Sequence, residues 1–301
     1  MTEMRDHRGW ITRWDPDDPQ FWASDGRRIA RRNLALSVFA EHIGFCIWVL
    51  WTVIRSGLST VVHASWWTGT MRNITYTDPG GGALAAIVGT LEQVAICTVI
   101  SVPIAVLVGI YLVEYGRGPF AKVTTFMVDI MTGIPSIVAG LFIYALVVET
   151  FNLPKTGWLI SLALIILMVP VIVRTTEEIL KLVPNNLREA SLALGTPTWK
   201  TIVQVVLPVA CGGIVTGIVL SLARAAGETA PLLLTALGNE FFNFKLNEPM
   251  SSLPTQIYNY AKSPYSDSHT KAWGSSLVLI IVIGSLSLLT RVLTRKTKQA
   301  R

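Results

Sequence analysis

Apolar residues in this chain gather into long runs that carry no strand-like alternation. A membrane-crossing helix needs about 20 mostly apolar residues. Six runs fit that requirement: Leu34–Ile54, Ala83–Val113, Val123–Val148, Trp158–Val173, Val209–Leu234 and Ser275–Leu289. The second is long and contains Pro103, where a kink is expected, and the fourth is short and runs into Pro170. The pattern predicts an all-α integral membrane protein with six transmembrane helices.

Lys and Arg positions set the orientation, because short loops rich in them stay cytoplasmic. With the N-terminus inside, the cytoplasmic segments hold eighteen of the 25 basic residues and the outer loops hold six. The remaining one, Arg224, lies within a span. This three-to-one bias predicts an N-in, C-in topology and accounts for the net charge of +6 without nucleic-acid binding. Only 15% of the 301 residues are charged and 51% are hydrophobic, far from a soluble domain's composition. The first apolar run begins too late and is too long for a cleavable signal peptide. Cys46, Cys97 and Cys211 lack CxxC spacing and the four histidines lack ligand spacing, so disulfides and metal sites are not expected.

Residues 1–33 form a polar arm ending in the basic run Arg27–Arg32, suited to anchoring the first helix on anionic lipid headgroups. Trp66 and Trp67 suit an interfacial belt. In the outer loop Ala236–Trp273, Pro249, Pro254 and Pro264 argue against one continuous helix.

Two features carry candidate chemistry. Between the fourth and fifth spans, a mixed-polarity stretch begins at Arg174 and runs past Pro184. Leu187, Ala190 and Leu194 then recur at helical spacing before Gly195 breaks the run. A second short helix starts at Thr196-Pro197 and is expected to end near Leu207-Pro208. Such a knob could fit a groove on another protein or be an ordinary interfacial loop; the pattern alone favours neither. The second feature is a charge pair inside the fifth span. Arg224 and Glu228 stand at i, i+4 and share a helix face. They are either a structural clip, with Arg224 able to snorkel, or a pathway site whose planar guanidinium receives an oxyanion. In the second reading Glu228 holds Arg224 when the path is empty and weakens its grip on the anion, so that cargo can leave. Pro135 and Ser136 break the third span, as a plain prolyl kink or as backbone lining a cavity. Glu92 and Asp129 are expected near helix ends, away from the pathway.

Glu189-Ala-Ser-x-x-x-Gly195, nine residues, then Val205-x-Leu207-Pro208 resembles the EAA loop of bacterial ABC importer permeases, with Ser191 and Val205 as mild departures. The resemblance implies the MetI-like permease fold and assigns ATPase coupling to Arg188, Glu189, Ala190, Gly195, Leu207 and Pro208. The segment Ala-Arg224-Ala-Ala-Gly-Glu228-Thr229-Ala230-Pro231-Leu-Leu resembles the A permease subunit of Pst-type phosphate importers. Gly133-Ile-Pro135-Ser136 and Pro170 to Glu178 match the same family. The resemblance implies phosphate import, with Arg224, Glu228, Thr229, Pro135 and Ser136 on the pathway. Implied partners are a homologous C permease subunit, a cytoplasmic ATPase dimer and an extracytoplasmic phosphate-binding protein. On this reading residues 83–292 are the permease core and 293–301 a basic cytoplasmic tail. Residues 34–54 are a discordant first helix, since the chain up to Trp51 resembles nitrate/nitrite porters of the major facilitator superfamily. A joint near Leu50–Arg55 is the expectation. With no Walker A motif, the chain is expected to bind no cofactor; ATP and Mg belong to the partner ATPase. Rival readings are a permease for sulfate or molybdate, a self-contained channel or porter, and a membrane enzyme. An enzyme would need clustered His, Asp or Cys near the membrane surface, which the sequence lacks.

Overall fold

The computed structural model describes residues 27–299 except 237 and 240, with side chains described from 30 to 288. The polar arm up to residue 26 and the side chains of the basic tail therefore lie outside the described residues. Every regular element among the described residues is helical. In chain order these are α1 (Arg27–Val61), α2 (Ala64–Thr68), α3 (Leu84–Ile110), α4 (Pro119–Gly133), α5 (Ser136–Ile143) and α6 (Gly157–Lys181). There follow α7 (Asn185–Ala193), α8 (Thr198–Thr201), α9 (Leu207–Gly227), α10 (Ala230–Thr235), α11 (Leu253–Ala261) and α12 (Ser266–Gln299). Single π-helical stretches extend α3 over Tyr111–Tyr115, extend α5 over Tyr144–Thr150 and join α8 to α9 over Ile202–Val206.

The chain divides into two units between Ile54 and Arg55. In the first, α1 shows exposed apolar side chains all round, among them Leu34, Phe39 and Trp48, as suits a helix in lipid. In the second, α6 is the hub, with 61% of its apolar window buried. Ile160, Leu164, Met168 and Ile172 of α6 pack with Cys97 and Ala105 of α3 and Ala225 of α9. Lipid tails are as apolar as leucine, so close fit rather than water exclusion holds such helices together. The fit is close at one level of α6. A Cβ on Gly109 of α3 would lie 2.7 Å from Thr176 Cγ2, and one on Gly217 of α9 would lie 2.2 Å from Thr175 Cγ2. Two glycine faces therefore grip adjacent threonines of the hub.

Several sequence expectations change. Among the described residues five helices are long and apolar enough to span, and α4 with α5 counted as one bent span gives the expected sixth. The break expected at Pro135-Ser136 in the run Val123–Val148 is present and sharp: α4 and α5 meet at an angle of 105°. Pro135 lacks an N–H, and with ψ 136° its backbone leaves the helical region. The run Val209–Leu234 also breaks, where Glu228 turns extended at φ −68°, ψ 127°. By contrast α3 is an unbroken helix through Pro103, and α6 continues through Pro170 to Lys181. Arg174 to Lys181 are thus helical and not loop; their charges neutralise one another along the helix, with Glu177 2.6 Å from both Arg174 and Lys181. The second knob helix does not end near Leu207-Pro208. It runs through the π-helical stretch into α9, with Pro208 just past the change from π to α geometry.

Candidate functional site

α9 delivers Arg224 in its last turn, and Glu228 follows at the point where the helix ends. Arg224 Nε donates to Glu228 Oε1 at 3.2 Å. The pair is lopsided: the Arg224 side chain is 63% exposed and that of Glu228 15%. Neither Nη group of Arg224 has a protein partner among the described residues, so the donor fork is free to bind. The hollow between α6 and α9 at this point, walled by Leu167, Met168, Val171 and Ser221, has a volume of only about 10 Å³. That is barely room for one water, so this chain by itself does not enclose an anion beside Arg224. A larger hollow of about 250 Å³, lined by Tyr76, Asn239, Gln256 and Asn259, has no charged side chain in its wall among the described residues.

The two helix breaks are related in space. Past Pro135 and past Glu228-Thr229, the chain makes the short helices α5 and α10, and these pack on each other. The approach is intimate: a Cβ on Gly140 would lie 2.5 Å from Pro231 Cα. Pro135 is exposed, while Ser136 and Thr229 are half-buried. Among the described residues no hydrogen bond links the Ser136 or Thr229 side chain to Arg224 or Glu228, so the structure brings together the two breaks but not all five pathway candidates.

The knob consists of α7 and α8. Gly195 ends α7 with φ +77°, the left-handed conformation that glycine adopts most cheaply, and its N–H reaches the Leu192 carbonyl at 2.9 Å. Ser191, the residue that departs from the EAA pattern, is buried and its hydroxyl lies 2.9 Å from that of Thr201, pinning α7 to α8. The apolar stripe faces outward: Leu187, Leu194 and Trp199 are 40%, 86% and 62% exposed. Glu189, Ala190 and Gly195 are not buried either, and Leu207 and Pro208 are half-buried at the joint with α9.

Arg188 behaves differently from its neighbours and turns inward to Glu114, with Nη2–Oε1 at 2.8 Å and side-chain exposures of 16% and 8%. Sequence reasoning missed Glu114; its signal was a lone carboxylate just past an apolar run. It also missed a relay in which Arg174 pairs with Asp129 and with Glu177, and Glu177 pairs with Lys181. Asp129, four residues before the end of α4, lies near a helix end as expected. Glu92 does not: it lies more than two turns inside α3, with a buried carboxylate oxygen that has no hydrogen-bond partner among the described residues.

Comparison with known proteins places this arrangement. Residues 101–299 match the family described as the inner membrane component of binding-protein-dependent transport systems. The fold is that of solved permease-containing structures. An alginate ABC transporter superposes with a TM-score of 0.65 at 13% identity, covering 92% of this chain and 98% of that one. The inward-facing MetNI methionine ABC transporter gives 0.56 at 19% identity, over 71% of this chain and 96% of its own. The fold class is therefore a MetI-like ABC importer permease, an integral membrane subunit.

Among named relatives, the phosphate transport system permease protein PstA of Mycobacterium leprae is 44% identical over 267 residues, 87% of this chain and 88% of its own. PstA of Pasteurella multocida is 41% identical over 86% of this chain and 92% of its own. PstA of Yersinia pestis is 41% identical over 93% of both chains. The chain belongs to the PstA family of phosphate transport system permeases. Coverage of 93% requires the Yersinia alignment to reach into the first fifty residues, which include the start of α1.

Proposed function

We propose that this chain forms one half of the membrane path of an ATP-driven inorganic phosphate importer and connects that path to a cytoplasmic ATPase. The supporting observation is the state of Arg224. A guanidinium in a membrane span is costly unless it meets water, a counter-charge or a cargo. Here it sits where a span breaks, with one N–H on Glu228 and the rest of its fork unpaired on an exposed face. That face fits a path completed by a second, homologous permease subunit, because this chain alone encloses only about 10 Å³ beside it. Phosphate would use the free fork, while Glu228 keeps Arg224 oriented and limits how tightly the anion is held. Pro135, Ser136 and Thr229 would line the path at the two breaks.

The outward apolar stripe of the knob supports an ATPase contact, since exposed leucines and a tryptophan in a loop mark a protein-binding patch. The ATPase dimer would carry ATP and Mg, and an extracytoplasmic phosphate-binding protein would deliver the cargo. The test is phosphate uptake in cells expressing Arg224→Gln and, separately, Gly195→Asp. The first should abolish uptake with the complex assembled. The second should release the ATPase subunit. Normal uptake in both variants overturns the reading, and sulfate or molybdate uptake without phosphate uptake overturns the substrate.

A further inference from the structure

Arg188 is held at more points than a surface knob residue needs. Its Nε and Nη2 donate to Glu114 at 3.1 and 2.8 Å, and Nη2 also reaches the Leu180 carbonyl at 2.9 Å. Its Nη1 donates to the Val183 carbonyl at 2.6 Å and to Asn185 Oδ1 at 3.3 Å. Leu180 is in the last turn of α6 and Val183 just past its end; the Leu180 carbonyl, which already accepts from the Val183 N–H at 3.2 Å, is shared with Arg188. Glu114 belongs to the π-helical stretch that ends α3. One guanidinium thus fastens α7 of the knob to the ends of the second and fourth spans.

The knob has a different route to the fifth span, through continuous backbone from α8 into α9. Movement of the knob therefore reaches α9 covalently at one end and α6 covalently at the other, through residues 182–184, but reaches α3 chiefly through side chains. The pair is mostly covered, and parting it would leave a charge unpaired with little access to water, so α7 cannot shift readily without carrying Glu114 along. The π-helical stretch supplies local give at the receiving end, since its hydrogen-bond pattern departs from that of the helix it extends.

We propose that the Glu114–Arg188 pair is the strut through which movement of the knob is passed to the second span. Both are positioning residues and neither touches the cargo. The proposal rests on the knob being the ATPase contact. The strut keeps α3 in step with α6 and α9, so that hydrolysis and opening stay linked.

The experiment uses the full chain with its permease, ATPase and binding-protein partners in proteoliposomes, and reads ATP hydrolysed per phosphate imported together with ATPase subunit retained. Glu114→Gln and Arg188→Lys should keep the ATPase bound and raise the ratio at least about fivefold, the low end of an ordinary coupling. The swap Glu114→Arg with Arg188→Glu should bring the ratio back toward wild type. A second variant guards against misfolding: Glu114→Cys with Arg188→Cys, in a background lacking Cys46, Cys97 and Cys211, should be uncoupled when reduced and coupled when bridged by a short thiol crosslinker. An unchanged ratio in both single variants overturns the strut, as does a loss of assembled complex at unchanged ratio, or a bridge that leaves the ratio high. Gly195→Asp separates the underlying reading: if that variant retains the ATPase, the knob assignment fails and the strut with it. If it loses the ATPase while Glu114→Gln stays coupled, the strut alone fails.

Discussion

Two arginine–glutamate pairs in this protein use the same chemistry to opposite ends. Arg224 touches Glu228 through one nitrogen at 3.2 Å and is 63% exposed. Arg188 is 16% exposed, holds Glu114 through two nitrogens and adds two backbone carbonyls and an amide oxygen. A guanidinium that must exchange partners with a passing anion is useful only if part of its fork is unpaired. One that must carry displacement is useful only if all its nitrogens are committed. The number of bonds around each arginine, more than its identity, separates the two roles.

The sharpest way to break this comparison is to remove each arginine and follow stability. Arg188→Met strands the half-buried Glu114 and should cost about 2–3 kcal/mol. Arg224→Gln loosens an exposed contact and should cost at most about 1 kcal/mol. Thermal unfolding of the purified complex in detergent checks this, and equal melting shifts would erase the distinction between the pairs.

A smaller effect tests the ground on which the open pair stands. Gly140→Val must push α5 off Pro231, an overpacking cost of about 1–3 kcal/mol, and should lower phosphate uptake without releasing the ATPase. Gly212→Ala on α9 has nothing within 4 Å of its new Cβ and should leave uptake unchanged.

The locked region is sharpened by Ser191→Ala, which leaves the buried Thr201 hydroxyl without its partner and should cost about 1 kcal/mol. Adding Thr201→Val should recover part of that loss, since both polar partners are then gone. Faster hydrogen exchange in α7 for the single variant than for the double is the expected observation.

The smallest effect lies outside both pairs. The Thr75 hydroxyl and backbone N–H hold the Asp78 carboxyl below its ordinary range, and Lys245 does the same for Glu248. Each folded-state value is depressed, so each contribution is present above the usual carboxylate pKa near 4 and is lost as pH falls through the lower folded value. Amide protection at Thr75 should be flat between about pH 6 and 8 and should fall below about pH 4. Protection that persists through that acid range would show the turn is held by something else.

The runs of apolar residues reported the spans because lipid demands about 20 of them in a row, whatever surrounds the helix. Spacing also reported the knob, since Gly195 and the leucine stripe are local signals of a helix end and an outward face. Where backbone geometry depends on neighbours, the pattern was silent. An apolar run reads alike whether it is one helix or two; Pro135 marked the break in the third span, but its 105° angle and the break at Glu228 appear only in the packed structure, where α5 lies on α10. Proline likewise gave mixed signals: α3 and α6 absorb Pro103 and Pro170, while Pro135 breaks a span.

The sequence by itself determined a multi-span membrane chain with an arginine–glutamate pair one turn apart and a knob between two spans, because each of these is written in residues close together along the chain. Only the tertiary structure decided that Arg188 turns inward to Glu114, that Arg174 joins Asp129, and that Arg224 keeps most of its donors free. Glu114 and Arg188 stand 74 positions apart, and nothing in either local pattern names the other. Partners of that kind are chosen when helices pack, as each buried charge takes up the counter-charge that folding brings within reach.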